Sequence, residues 1–404
     1  MNQKEYLDLM LDQMVNINKT IQTAVIADFT KHFKDEKAAT GKKEEEISKE
    51  LGLPRTFSHY IWREVYSRGA RFNAVELIGD EANENMNYNV SADGITDIAL
   101  SLRKANCTIL SRKGAKEIEI TIKDMNREEN TGFDLFKSAD GNISICERWN
   151  DLRFMYNYVA KKPADIEIVL PVGFNGKINL IGGSGNVTAT DLSAKVIDIK
   201  TLSGDVTLKN CKGEIYLSAL TDSGNVDTDD CAYKRLTFFT DTGYIKHTNI
   251  ESKGTNGNED VIFSNTSAGE TNVKNSRGNL KMISWMGEIL VSDFTGQFCA
   301  SSGPGRIEAV DLKLTEKASF FSYYGNINAK IKSLAKGLSA KAEIEGSICF
   351  EINKEAVPSS TRFELNSPEN FEIINEFKSN EKNDGNGQLI KCDTIKGGIT
   401  IKSL

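Results

Sequence analysis

Proline is scarce, at six of 404 residues, and histidine scarcer, at three. With 39% hydrophobic residues and a net charge of −7, the chain has neither the composition of a disordered segment nor the cationic excess of a polyanion binder, so no nucleic-acid partner is expected. No apolar run reaches eighteen residues, and no charged-then-apolar stretch opens the chain. A transmembrane helix and a secretory signal are therefore not expected. Seven cysteines, Cys107, Cys146, Cys211, Cys231, Cys299, Cys349 and Cys392, are scattered without CxxC spacing. They read as free thiols in a reducing compartment, not as a disulfide framework or zinc site. The expected location is cytoplasmic, at most peripheral at a membrane.

What is abundant is glycine in register. Gly185, Gly204, Gly224, Gly243, Gly269, Gly287, Gly305, Gly325 and Gly346 are each followed, two residues on, by Val or Ile, with Thr271 the one exception. A period near twenty residues means that each unit is one supersecondary element that buries its apolar face only by stacking on its neighbours. The expected fold is mainly β, a parallel β-solenoid of about nine coils of about twenty residues each. Period-two alternation sets the phase. Positions +2 and +4 after each glycine point inward, and the mostly polar +3 positions, such as Thr188, Thr207 and Asp227, face out. A second alternating segment half a period later carries Ile197/Ile199, Ile215/Leu217, Leu236/Phe238, Val261/Phe263 and Leu280/Met282 as inward pairs. The glycines are expected to turn a corner in positive φ. The long interval between Gly243 and Gly269 holds a polar, Gly-rich stretch at 251–259 that reads as an extruded loop.

Residues 1–70 follow another period. Tyr6, Leu9, Met10 and Met14 share one helical face, and Ile21, Val25, Phe29 and Phe33 share another. Gly41 ends the second helix, Lys42 to Leu51 forms a short charged one, and Gly52-Leu-Pro54 opens a fourth through Phe57, Tyr60, Ile61 and Val65. The expectation is a small helical bundle over 1–70, with a junction at 67–75. An irregular β region at 76–171, regular coils at 172–352 and a C-terminal cap at 353–404 make up the solenoid of 71–404. A polar run from Ser379 to Gln388 reads as a loop in that cap.

Two family resemblances accompany these patterns. Met1-Asn-Gln-Lys-Glu-Tyr-Leu7, Ala27-Asp-Phe-Thr-Lys-His-Phe33 and the stretch from Gly41 through Glu44-Glu-Glu-Ile47 to Leu51-Gly-Leu-Pro54 resemble the HAAS helical signalling domain of Firmicutes, departing at Leu53, where that family commonly has Asp. Gly183-Ser-Gly-Asn-Val187, the run from Asp191 to Gly204-Asp-Val206, and the strand-like Ile166 to Phe174 resemble a bacterial adhesin-type β-strand-repeat family, a domain of unknown function. Together the resemblances imply a parallel β-solenoid without catalytic residues, in an accessory of envelope-stress or regulatory signalling.

Candidate sites are few. Gly182-Gly-Ser-Gly185 lacks the Lys-Ser/Thr and the helix N-terminus of a phosphate loop. His32, His59 and His247 lie far apart, and His247 occupies an inward position, as a packed residue would. Asp227, Asp229 and Asp230 read as a solvated turn, because a hard cation needs six or more oxygens. No metal, cofactor or catalytic residue is expected. What stands out is a corner. Just before the repeat glycine, where early coils carry small or polar residues, two later coils carry Trp285-Met286 and Tyr323-Tyr324, with Gly303-Pro304 between them. Such aromatics either pack over the solenoid flank or form an exposed binding patch. The expected function is a non-enzymatic scaffold, with the helical module docking a protein partner and the solenoid presenting a binding face. The alternative is an adhesin-like solenoid that binds or processes carbohydrate at the cell envelope.

Overall fold

A computed structural model describes residues 1–13, 19–51, 54, 75–79, 86–123, 133–138, 141–147, 163–253, 261–377 and 388–404. The expected fourth helix, Met14, most of the 67–75 junction, most of the inserted stretch and nearly all of the polar C-terminal run lie outside these residues.

Three helices, α1 (Gln3–Gln13), α2 (Lys19–Thr40) and α3 (Glu44–Leu51), bury Tyr6, Leu7, Met10, Phe29, Phe33, Ile47 and Leu51 in one cluster. Tyr6 packs against Phe29 and Phe33, with ring centroids 6.2 and 5.8 Å away. Leu9 is exposed, contrary to expectation. The buried arc of α1 runs from Tyr6 through Met10 to Leu7 and the partly buried Leu11. At 3.6 residues per turn Leu9 falls on the opposite side of Tyr6 from Leu7. Gly41 ends α2 at φ +68°. Glu44, Glu45 and Glu46 open α3, where carboxylates meet unpaired N–H groups, and Glu46 accepts from the Lys43 backbone at 2.9 Å.

The rest of the described chain is β. Val187–Thr190, Val206–Lys209, Val226–Asp229 and Ile245–Thr248 stack in parallel, and Val187, Val206, Val226 and Ile245 align directly. The row continues through Thr271, Ile289, Ile307, Ile327 and Ile348 to Ile399. A second parallel sheet aligns Ile197, Leu217, Leu236, Ile262, Leu280, Phe298, Ala318, Leu338 and Ile390. Every +2 and +4 side chain from Val187 to Phe350 is buried. The strand face assignment therefore holds along the whole row.

One coil departs from the expected pairs. Val261 and Phe263 are half-buried, whereas Ile262 and Ser264 point inward. The run Val261-Ile-Phe263 is apolar throughout and gives no phase. Register pairs Phe263 with Thr237 and Ser264 with Phe238, because the inward Ser264 hydroxyl meets His247. Ile215 is also exposed, since it lies before the strand Tyr216–Thr221, whose inward pair is Leu217 and Ala219. Glu251–Ser252, expected in a loop, forms a short strand beside Ala232–Tyr233.

The corners correct the glycine reading. Of the nine repeat glycines only Gly346 has positive φ. The left-handed corner lies six residues on, at Asp191, Asn210, Asp230, Asn249, Asn275, Asp293 and Asp311, with φ between 47° and 62°. Asn and Asp are the non-glycine residues that tolerate this region. Glycine is needed at the repeat position for a different reason: a Cβ on Gly204, Gly243, Gly287 or Gly305 would lie 1.9 to 2.0 Å from the carbonyl oxygen of the glycine one coil below. This ladder starts on Ala105 beneath Gly185 and ends with Gly397 on Gly346.

At both ends the chain order and the spatial order part. Asp97–Ser101 and Asn106–Arg112 lie between the later strands Lys177–Ile181 and Val187–Thr190 on one side and Asn142–Glu147 and Asp165–Pro171 on the other. Leu389–Thr394 and Ile399–Ser403 likewise insert beneath Arg362–Asn366 and Ile373–Asn375, the outermost strands of that end. At the N-terminal end the pairing turns antiparallel through Phe133–Ser138 and Val75–Gly79. There the buried Glu147 carboxylate accepts from the backbone N–H groups of Arg103, Lys104 and Ala105 at 2.6, 3.0 and 3.2 Å. It supplies acceptors at the corner where the parallel coils stop.

Candidate binding surface

The corner is built from a hydroxyl upward. Three residues before the repeat glycine stand Thr201, Thr221, Thr240, Thr266, Ser284, Ser302 and Ser322, all buried. Thr240 Oγ1 donates to the Gly224 carbonyl at 2.7 Å and accepts from the Gly243 N–H at 3.0 Å. Ser284 accepts from the Gly287 N–H at 2.9 Å, and Ser322 from Gly325 at 2.8 Å. These bonds pin the turn and set its parity: with position −3 inward, positions −4 and −2 face out. The repeating hydroxyl is present in the sequence, but its role shows only once the coils are stacked.

That parity turns Trp285 and Tyr323, at −2, toward solvent, and the bend that follows each strand carries Met286 and Tyr324 outward at −1. Trp285 is 59% exposed, Met286 67%, Tyr323 39% and Tyr324 52%. Tyr323, the least exposed of the four, also packs on the solenoid flank. Ile283 and Phe321, at −4, lie half-buried beside them, and Phe321 meets Tyr323 edge-on at 4.9 Å between centroids. Between the pairs Gly303 is buried, and a Cβ there would lie 1.9 Å from the Trp285 carbonyl oxygen. No side chain can rise from that position. Sequence reading also missed Tyr244, 46% exposed at the corner two coils below Trp285. Its signal was an aromatic at position +1, where the other coils carry polar residues. Ion pairs flank the surface: Arg306 with Glu288 at 3.0 Å, and Lys341 with Glu343.

One buried polar row has the composition of a catalytic set. Thr228 Oγ1 and His247 Nδ1 are 2.6 Å apart, and His247 Nε2 and Ser264 Oγ 2.7 Å, with the Phe238 ring 4.3 Å from the imidazole. All three polar residues have no exposure, so no substrate reaches them. Burial lowers the His247 pKa to about 3. The folded state therefore holds His247 neutral while the unfolded chain titrates near 6.5, so the unfolded state binds more protons between those values. Stability from this group is complete above about pH 6.5 and is lost toward pH 3 at about 1.4 kcal/mol per pH unit. Urea unfolding at pH 7, 5.5 and 4.5 should show a shallower acid loss for His247→Gln than for wild type. Parallel pH profiles would refute the buried neutral histidine.

The other candidates are accounted for structurally. Asn249 donates to Asp229 at 2.9 Å, and Lys212 pairs with Asp230 at 2.9 Å. Cys107, Cys211, Cys231 and Cys392 are buried free thiols, and Cys299 and Cys349 half-buried ones. Burial pushes the Cys107 and Cys392 thiols well up. Among the described residues, no three His, Cys, Asp or Glu side chains converge as a metal site, and no helix is long and apolar enough to cross a membrane.

Parallel stacked coils preceded by a small helical unit define a β-solenoid. The chain belongs to the Toastrack DUF4097 family, whose model matches residues 95–356. Among solved structures it is similar to a protein described as a cell-adhesion protein of Clostridium sporogenes, at 10% identity over 79% of this chain and 99% of that one, with a TM-score of 0.24. It is also similar to one described as an adhesin of Parabacteroides merdae, at 11% identity over 66% and 96%, with a TM-score of 0.26. No curated protein matches.

Proposed function

We propose that the solenoid is a binding module of adhesin type and that its contact surface is the corner bearing Trp285, Met286, Tyr323 and Tyr324, with carbohydrate of a cell envelope as the ligand class. The observation that carries this reading is exposure. Four large apolar side chains on two alternate coils stay in water, and exposed apolar side chains grouped in this way mark interaction sites. The test is retention on isolated bacterial cell walls by the full chain and by a Trp285→Ala/Tyr323→Ala variant. Wild type should be retained and the variant lost, with equal melting temperatures, because neither ring supports the core. Equal retention would remove the corner as a binding site.

The N-terminal helices favour a second, compatible role. Their core is closed on itself, and the stretch from Gly41 to Pro54 resembles the HAAS signalling domain. This supports residues 1–70 as a docking unit for a protein partner in envelope signalling. Cell fractionation bears on both roles: recovery only in the cytoplasm favours docking and argues against an envelope glycan.

A further inference from the structure

From the spacing of the exposed corner residues we infer that the ligand is a linear, extended β-1,4-linked glycan, laid along the stacking axis so that every second sugar ring rests on an aromatic platform. The inference builds on the binding surface proposed above and adds the ligand's linkage and direction. Exposed corner aromatics recur at alternate coils, Tyr244, then Trp285 with Met286, then Tyr323 with Tyr324. Successive coils are one strand spacing apart, so platforms on alternate coils stand about 10 Å from one another. In an extended β-1,4 chain neighbouring sugars are turned over, and alternate rings present the same C–H-rich face at nearly this distance. An α-1,4-linked chain curls and does not.

The intervening coils complete the match. Ser267-Ala268 and Gly303-Pro304 stand between the platforms, and Gly303 is held to zero side chain by the Trp285 carbonyl beneath it. The floor is therefore low where the inverted sugar would project its substituents. Hydrogen-bonding groups line the track: the Arg306–Glu288 pair, the Lys341–Glu343 pair and the exposed Asn326. Tyr244, at +1, stands three residues further round its coil than Trp285 does in its own, so the third platform is displaced toward the column of Glu288 and Arg306.

A narrow row of exposed rings along the stacking axis matches the width of a single extended chain.

The experiment is calorimetric titration of the full chain with cello- and chito-oligosaccharides of two to six sugars, and with malto-oligosaccharides of equal length. Three sugars are the shortest ligand to reach two platforms and five the shortest to reach three. Affinity should rise about tenfold from two to three sugars and again from four to five. Trp285→Ala should abolish the first step, and Tyr244→Ala only the second, with melting temperatures unchanged. A smooth dependence on length, or malto-oligosaccharides binding equally well, would overturn the alternate-ring track. So would the absence of binding by either β-1,4 series. If wall retention still depends on Trp285 and Tyr323 in that case, the surface stands and only the ligand assignment falls; if retention is also unaffected, both fall.

Discussion

Ile289→Asp is expected to remove about 5 kcal/mol of stability, comparable to the whole stability of many domains. Ile289 has no exposure and lies in register between Thr271 and Ile307, with aliphatic rows continuing above. No cation faces the interior there, and an isolated buried carboxylate is destabilising by several kcal/mol. Ile289→Val, which keeps the shape and loses one methylene, should cost about 1 kcal/mol. Thr207→Asp, on the half-exposed +3 position between Thr188 and Asp227, should cost less than about 1 kcal/mol, from the like charge of Asp227 one strand away. Thermal unfolding followed by circular dichroism ranks the three. Equal melting temperatures for Ile289→Asp and Thr207→Asp would refute the phase of the repeat.

Gly305→Ala should cost about 3 kcal/mol, and the cause is not backbone conformation. Gly305 is outside the left-handed region, so alanine fits its φ. The added Cβ would lie 2.0 Å from the Gly287 oxygen and 2.5 Å from its carbon, so the coils must spread by about 1 Å at that corner to relieve the overlap. Spreading stretches the adjacent bond from the Ile289 N–H to the Arg306 carbonyl, now 3.0 Å. The contrasting substitution is Asp293→Gly at φ +52° on the exposed corner. Glycine adopts that conformation freely, so little stability should be lost. If Gly305→Ala were tolerated and Asp293→Gly were not, the close-stacking account of the glycine ladder would be wrong.

Much of the solenoid was legible because its signals are local. The +2 and +4 rows from Val187 to Phe350 follow from period-two alternation counted off a glycine, and all of them are buried. Reading failed where alternation lapsed, as at Val261-Ile-Phe263, or where a residue serves a neighbour on another strand. Ser264 looks polar and outward until His247, on the facing strand of the same coil, is seen to need it. The aromatic pairs at Trp285 and Tyr323 were visible as anomalies, but their exposure was not. It depends on the bend that follows Ser284 and Ser322, pinned by their inward hydroxyls on the Gly287 and Gly325 N–H groups.

The repeat length, the inward +2 and +4 positions, the helical character of the N-terminus and the alternate-coil placement of the aromatics were determined by sequence alone, because each follows from residue spacing along one chain. The three-dimensional stacking decided the rest. It put the left-handed turns on Asn and Asp and reserved the glycines for contact with the glycine of the coil below. It inserted residues 97–112 and 389–403 between strands distant in sequence and turned four apolar side chains outward. These outcomes depend on what lies one coil away, a distance of about 5 Å in space and some twenty residues in sequence. A one-dimensional pattern does not specify which neighbour will be there.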